Sequence, residues 1–173
     1  FDRNGDADSF RTSNGSTKTS IGHAVSALTR HAKTVSPNTA LDGASNNSGL
    51  AIGRALGQAA QSEASRRGTT GLCYSAVASS VDKVVGRFLW GSSAYMAADQ
   101  LASHPKFREV NVTAGNLPGL PSGAVVVWGK TSRSPHGHIS ISLGNGQEAS
   151  DHVDTQRTQL RGYTNVRVFL PKA

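Results

Sequence analysis

Apolar residues recur on two different periods along this chain. Up to about residue 104 they return every three or four positions, as on one face of a helix; beyond it they alternate or run together, as in strands. In the first stretch, Ile21, Ala24, Val25 and Leu28 predict a helix over 20–33, in a region closed by Pro37. The polar residues 36–48 read as a loop. Leu50, Ile52, Leu56, Ala59 and Ala60 predict a second helix from about Gly49 to Arg67, with Gly68 as its stop. Val77, Val81, Val84, Val85 and Phe88 fall at i, i+4, i+7, i+8 and i+11, and predict a third helix from near Leu72 to about Leu89. A fourth, about Ser92 to Ser103, carries Tyr95, Met96, Ala98 and Leu101.

After Pro105 the period shortens. Val110 and Val112 fit a short strand, and 116–122 is a loop rich in Pro and Gly. Ala124 to Trp128 is an unbroken apolar run, as in a strand buried on both faces. From His138 to Leu143 the pattern alternates, with Ile139, Ile141 and Leu143 on one face and His138, Ser140 and Ser142 on the other. Gly144-Asn145-Gly146 turns the chain back into a strand over 147–151, and Val166 to Leu170 forms another. Helices followed by an antiparallel sheet make an α+β arrangement. A polar arm over 1–19 precedes a single domain over 20–173, its helical half ending near 104 and its sheet half beginning near 105.

The 173 residues suffice for one domain with a core of its own. No apolar run is long enough to cross a membrane. The chain opens on Phe1 rather than Met, which reads as a trimmed protein or a fragment of a longer one. A net charge of +7 favours polyanionic partners such as an anionic cell envelope. The basic residues are scattered and do not interleave with aromatics, which argues against nucleic acid. Asp2, Asn4, Asp6 and Asp8 have the spacing of a calcium loop. Ala7 stands where the turn glycine is needed and Ser13 where the bidentate acid is needed, so no calcium site is expected. His136 and His138 form a His-x-His pair without further ligands, so no metal is expected there either.

The chemistry centres on Cys73, the sole cysteine, which excludes an intramolecular disulfide. In the first turn of its helix, backbone N–H groups and the helix dipole favour a thiolate. Gly71 leaves room for a substrate, and the Cys73 N–H is placed to receive an oxyanion. His138 is the candidate base, because the small side chains on its strand face would let a helix bring the thiol to the imidazole. The hairpin centred on Asn145 sets 151 opposite 139. Asp151 is therefore expected to orient the imidazole, with Glu148, nearer the turn, as the alternative. Tyr74, Trp128 and His136 are candidate substrate-binding residues, Trp128 reading equally as core. The competing reading is a buried, unreactive thiol beside an exposed hairpin acid.

Gly-Ala-Val-Val-Val-Trp-Gly (123–129), a short loop, and Gly-His-Ile-Ser-Ile-Ser-Leu-Gly-Asn-Gly (137–146) resemble the core strands of NlpC/P60 and CHAP cysteine peptidases. The resemblance spans about 69–152. Around the cysteine it departs from the Asp-Cys-Ser-Gly usual in NlpC/P60 members, reading Gly-Leu-Cys-Tyr-Ser. It implies a papain-like fold and a cofactor-free endopeptidase or amidase that cleaves amide bonds in peptidoglycan stem peptides. In size and charge the chain is similar to amidase effectors delivered by bacterial secretion systems and to phage lysins. That implies a monomer secreted or delivered to the envelope or periplasm, with peptidoglycan as substrate and a cognate immunity or inhibitor protein as partner. Two other classes stay open: a thiol protease, deamidase or acyltransferase acting on a host protein, and a non-catalytic wall-binding domain.

Overall fold

The computed structural model describes residues 37–160 and 165–173, with side chains from Asn47 onward. The polar arm over 1–19, its calcium-like spacing and the helix expected over 20–33 lie outside the described residues. Three helices, α1 (Pro37–Arg67), α2 (Cys73–Val84) and α3 (Ala97–Ser103), precede six strands: β1 (Phe107–Val110), β2 (Val125–Trp128), β3 (His138–Ser142), β4 (Gln147–Ala149), β5 (Val153–Thr155) and β6 (Val166–Pro171). Short 3-10 turns occupy Ala94–Met96 and Ala114–Gly119.

The expected loop over 36–48 is, from Pro37, the first part of α1. Proline suits the first helical position, where no N–H is needed, but the polar residues behind it carry no apolar stripe to reveal the helix. The stripe expected farther along α1 is also only partly the buried one. Leu50 is exposed, whereas Gly49, Gly53, Leu56, Gly57, Ala60, Glu63 and Ala64 are buried. The glycines seat the helix on the turn before β2. A Cβ on Gly53 would lie 2.7 Å from the Ser122 carbonyl oxygen, and one on Gly57 would strike the Ser122 hydroxyl. Gly68 stops the helix at a φ of 54°.

Helix α2 ends at Val84, short of the expected Leu89. Gly86 turns left-handed at φ 103°, and Phe88 leaves the helical stripe to stack on His104, ring centroids 3.8 Å apart. The expected fourth helix divides into a 3-10 turn and the shorter α3.

The strands form one antiparallel sheet in the order β1-β6-β2-β3-β4-β5. Both faces are covered, which is why β2 is apolar throughout. Val125, Val127, Ile139, Ile141, Ala149 and Phe169 pack against Leu56, Ala60, Val77, Val81 and Leu101 of the helices. On the opposite face, Ala124, Val126, Trp128 and Val168 pack against Leu117, Leu120 and Leu160. The helices therefore cover the Ile139/Ile141 face of β3, not the small-residue face expected to receive them, because burying isoleucine against the α2 stripe removes more apolar surface from water. The serine face points the other way: Ser142 Oγ bonds the Leu120 carbonyl at 3.2 Å.

Candidate active site

Cys73 is the first residue of α2, after the Gly68–Leu72 loop. His138 is the first residue of β3. Gly137 before it has a φ of 67°, and any Cβ there would strike the Trp128 carbonyl. The glycine thus lets β3 start hard against β2, with His138 opposite Trp128. Helix start and strand start meet at one end of the sheet.

The Cys73 thiol is half-buried. Burial pushes its pKa up from 9.0, but hydrogen bonding and charge from His138, with a contribution from the Ile139 backbone, bring it below that value. Burial pushes the His138 imidazole down, and hydrogen bonds with Cys73 and Glu148 raise it above its ordinary 6.5. The Glu148 carboxyl is pushed up by burial and held below its ordinary range chiefly by His138. Each of the three shifts runs toward the charged form of its group.

The expectation that Asp151 would sit beside His138 is corrected. The carboxylate against the imidazole is that of Glu148, its Oε1 3.2 Å from His138 Nε2. Glu148 is 2% exposed and its Oε2 accepts Ser140 Oγ at 2.9 Å and Gln156 Nε2 at 2.7 Å. The hairpin register is as expected, Ile141 opposite Ala149 and Ser142 opposite Glu148. Residues opposite each other share a face, so Glu148 belongs to the His138–Ser140–Ser142 face, while position 151 would belong to that of Ile139.

Asp151 holds the loop before the cysteine instead. Its Oδ2 accepts the Leu72 N–H at 2.6 Å, and its backbone carbonyl accepts the Thr69 N–H at 3.1 Å. Its Oδ1 accepts Ser150 Oγ at 3.2 Å and faces His152 Nδ1 at 3.1 Å. Burial raises the Asp151 pKa, and the Leu72 N–H and His152 more than reverse it.

Of the candidate substrate-binding residues, Trp128 is removed from the cleft. It is fully buried in the second core, and its indole N–H meets no partner among the described residues. Its large apolar ring satisfies that core better than a solvent-facing wall would. His136 is exposed, its Nδ1 2.8 Å from Ser93 Oγ. A cleft of about 490 Å³ is lined by Cys73, His138, Arg133, His152, Arg157 and Leu160 among others. A second lobe of about 300 Å³ is lined by Leu72, Tyr74, Gly91, Ser92 and Ala94, and shares Gly71, Cys73 and His136 with the first. The Tyr74 hydroxyl is buried, which raises its pKa; Gln100 offsets part of that rise from outside hydrogen-bonding geometry. Gln156 and Arg157, both bonded to Glu148, carried no sequence signal. No cluster of potential metal ligands occurs among the described residues.

A helix opening on a cysteine, packed on an antiparallel sheet with a strand that opens on a histidine, is the papain-like arrangement, and the α+β fold is of that class. The chain is similar to one in the crystal structure of the type VI native effector–immunity complex Tae3–Tai3 from Ralstonia pickettii, with a TM-score of 0.52 and 20% identity over 68% of this chain and 96% of that one. The selenomethionine form of that complex gives a TM-score of 0.46 and 21% identity over 64% and 97%. No protein-family model matches the sequence, and no curated protein matches it significantly.

Proposed function

We propose that this protein is a cysteine hydrolase that cleaves amide bonds in peptidoglycan stem peptides, with Cys73 as nucleophile, His138 as general base and acid, and Glu148 orienting the imidazole. The observation that carries this reading is the Cys73–His138–Glu148 chain at the cleft, in which the thiol is lowered and the imidazole raised. His138 takes the thiol proton, and the thiolate attacks the amide carbonyl. The Cys73 N–H, in a helical first turn and so without an intrahelical acceptor, lies where the oxyanion forms. His138 then protonates the leaving amine, and water releases the acyl group from sulfur. Asp151 holds the Leu72 peptide next to that N–H. The chain needs no cofactor.

The choice of substrate rests on the resemblance of 123–129 and 137–146 to NlpC/P60 and CHAP strands, on the basic charge, and on the likeness to the fold in a type VI effector–immunity complex. That neighbour is an effector in complex with its immunity protein, and an effector role with an immunity partner is carried over from it to this chain as part of the proposal. No helix among the described residues is long and apolar enough to cross a membrane.

Incubation with purified sacculi, followed by analysis of soluble muropeptides, tests the reading. Release that disappears in Cys73→Ala is the expected result. Inert sacculi, or equal release by Cys73→Ala, would sink it. Thiol-dependent activity on proteins with inert sacculi would move the function to a protease, deamidase or acyltransferase.

A further inference from the structure

Most large apolar side chains of the described residues are covered, but Trp90 is 67% exposed and Leu72 49%. Both stand at the Tyr74 lobe of the cleft: Leu72 lines it, and Trp90 precedes Gly91, which lines it too. The indole is held out by its own backbone. Gln100 Oε1 accepts the Trp90 N–H at 2.8 Å, and Gln100 Nε2 donates to the Trp90 carbonyl at 2.8 Å, so one side chain clamps the residue from both sides. Gly91 then bends the chain at a φ of 117°. A broad apolar ring kept in water on a fixed backbone is prepared in advance for a ligand.

Beside that lobe lies a groove of about 390 Å³, lined by Arg67, Ser75, Ser79, Asp82, Arg87 and Trp90 among others. The two are continuous, since Ser75 lines both and Trp90 leads straight into Gly91. The charges of the groove are matched within the protein. Arg67 donates to Glu63 at 2.7 Å and to Ser75 Oγ at 3.1 Å, and Arg87 faces Asp82 at 3.7 Å. What the groove offers a ligand is an aromatic face beside hydroxyl and carboxylate oxygens. An uncharged ring with an apolar face and hydroxyls around its edge fits that set, and a pyranose sugar is such a ring.

Catalysis fixes which half of the substrate points there. The imidazole that accepts the thiol proton must give it to the leaving amine, so the amine half lies within reach of His138. His138 lines the other lobe and not that of Tyr74. The acyl half, bonded to sulfur, is left for the Tyr74 lobe and the groove beside it. A stem peptide is joined to its sugar strand through its amino end, so the acyl half of an amide cut along the stem leads back to the sugar.

Resting on the hydrolase reading above, we propose that the Trp90 groove is a saccharide subsite. The sugar that carries the acyl half stacks on the Trp90 indole, with its hydroxyls toward Ser79 and Asp82. The enzyme then cuts stem peptides that are still attached to the glycan in preference to free ones.

The test takes the muropeptide that sacculus digestion shows to be cut, and the same peptide freed of its sugar. The expected result is a kcat/KM about tenfold or more higher for the sugar-bearing form. W90A is expected to narrow that ratio, mainly by raising KM for the sugar-bearing form, and W90F to keep most of it. A second measurement does not depend on how W90A folds. The other tryptophan, Trp128, is fully buried, so the fluorescence of inactive Cys73→Ala reports the exposed indole. The sugar-bearing form is expected to shift or quench it more than the free peptide does. Equal cleavage of the two forms, a preference for the free peptide, a ratio that W90A leaves unaltered, or the same fluorescence change with both would overturn the subsite. The exposed indole would then belong to a protein partner, with the hydrolase left standing. An inert digest would overturn the hydrolase reading and the subsite together.

Discussion

Glu148 and Asp151 are three residues apart and act on Cys73 in opposite directions. Glu148 sustains the imidazolium that favours the thiolate, whereas the charge of Asp151 raises the Cys73 pKa. Glu148→Gln is therefore expected to lower the His138 pKa, raise that of the thiol and reduce kcat/KM by about tenfold or more. Asp151→Asn keeps an acceptor for the Leu72 N–H but removes the negative charge, so the thiol pKa is expected to fall. If Asp151 were the orienting acid, the same change would raise it. Alkylation of Cys73 as a function of pH separates the two outcomes. Asp151→Ala leaves the Leu72 N–H without its acceptor and is expected to destabilise the fold by about 1–3 kcal/mol, measured by denaturant unfolding.

At the scale of elements, the site is the meeting of a helix start with a strand start, while the glycines of α1 seat that helix on Ser122, before the opposite end of β2. Gly53→Ala would force a Cβ to 2.7 Å from the Ser122 carbonyl, a clash with backbone that cannot swing away. The expected cost is about 1–3 kcal/mol in a thermal or denaturant scan, with the Cys73 titration retained in the folded fraction. A stability equal to wild type would show that α1 does not need this close approach. The α2 stripe, the β2 run and the alternation of β3 were readable from the sequence because each keeps one period over several residues. The register of the β3–β4 hairpin was readable too, from its central Asn145. What misled was comparing Glu148 and Asp151 by distance along the ladder rather than by face, although alternation alone puts Glu148 with His138. The early part of α1 was hidden because its residues are polar, and β5 because three residues show no period. The Gly49–Gly53–Gly57 approach left no apolar mark, since it works by lacking side chains.

For the molecule as a whole, α1 and α2 are joined by one buried acid. Glu63, 1% exposed, accepts Arg66 at 2.6 Å and Arg67 at 2.7 Å on Oε1, and Lys83 at 2.9 Å on Oε2. These partners, Arg66 and Lys83 foremost, hold its carboxyl far below its ordinary 4.5 in the folded protein. A lowered folded pKa stabilises the fold above the unfolded value, and that stabilisation is lost as the pH falls toward the folded one. Wild type is therefore expected to melt above Glu63→Gln at neutral pH, with the gap shrinking once the pH drops below about 4.5. A gap that stays constant to low pH would contradict this. The helix pair that Glu63 joins places Cys73 against β3, and the proposed activity stands on what that placement does to the thiol. The rate of Cys73 alkylation by iodoacetamide across pH, in wild type and in His138→Ala, measures this directly. The expected result is a thiol whose titration in wild type lies below 9.0 and moves up toward that of an ordinary cysteine in His138→Ala. An ordinary titration near 9.0 in both proteins would contradict the account.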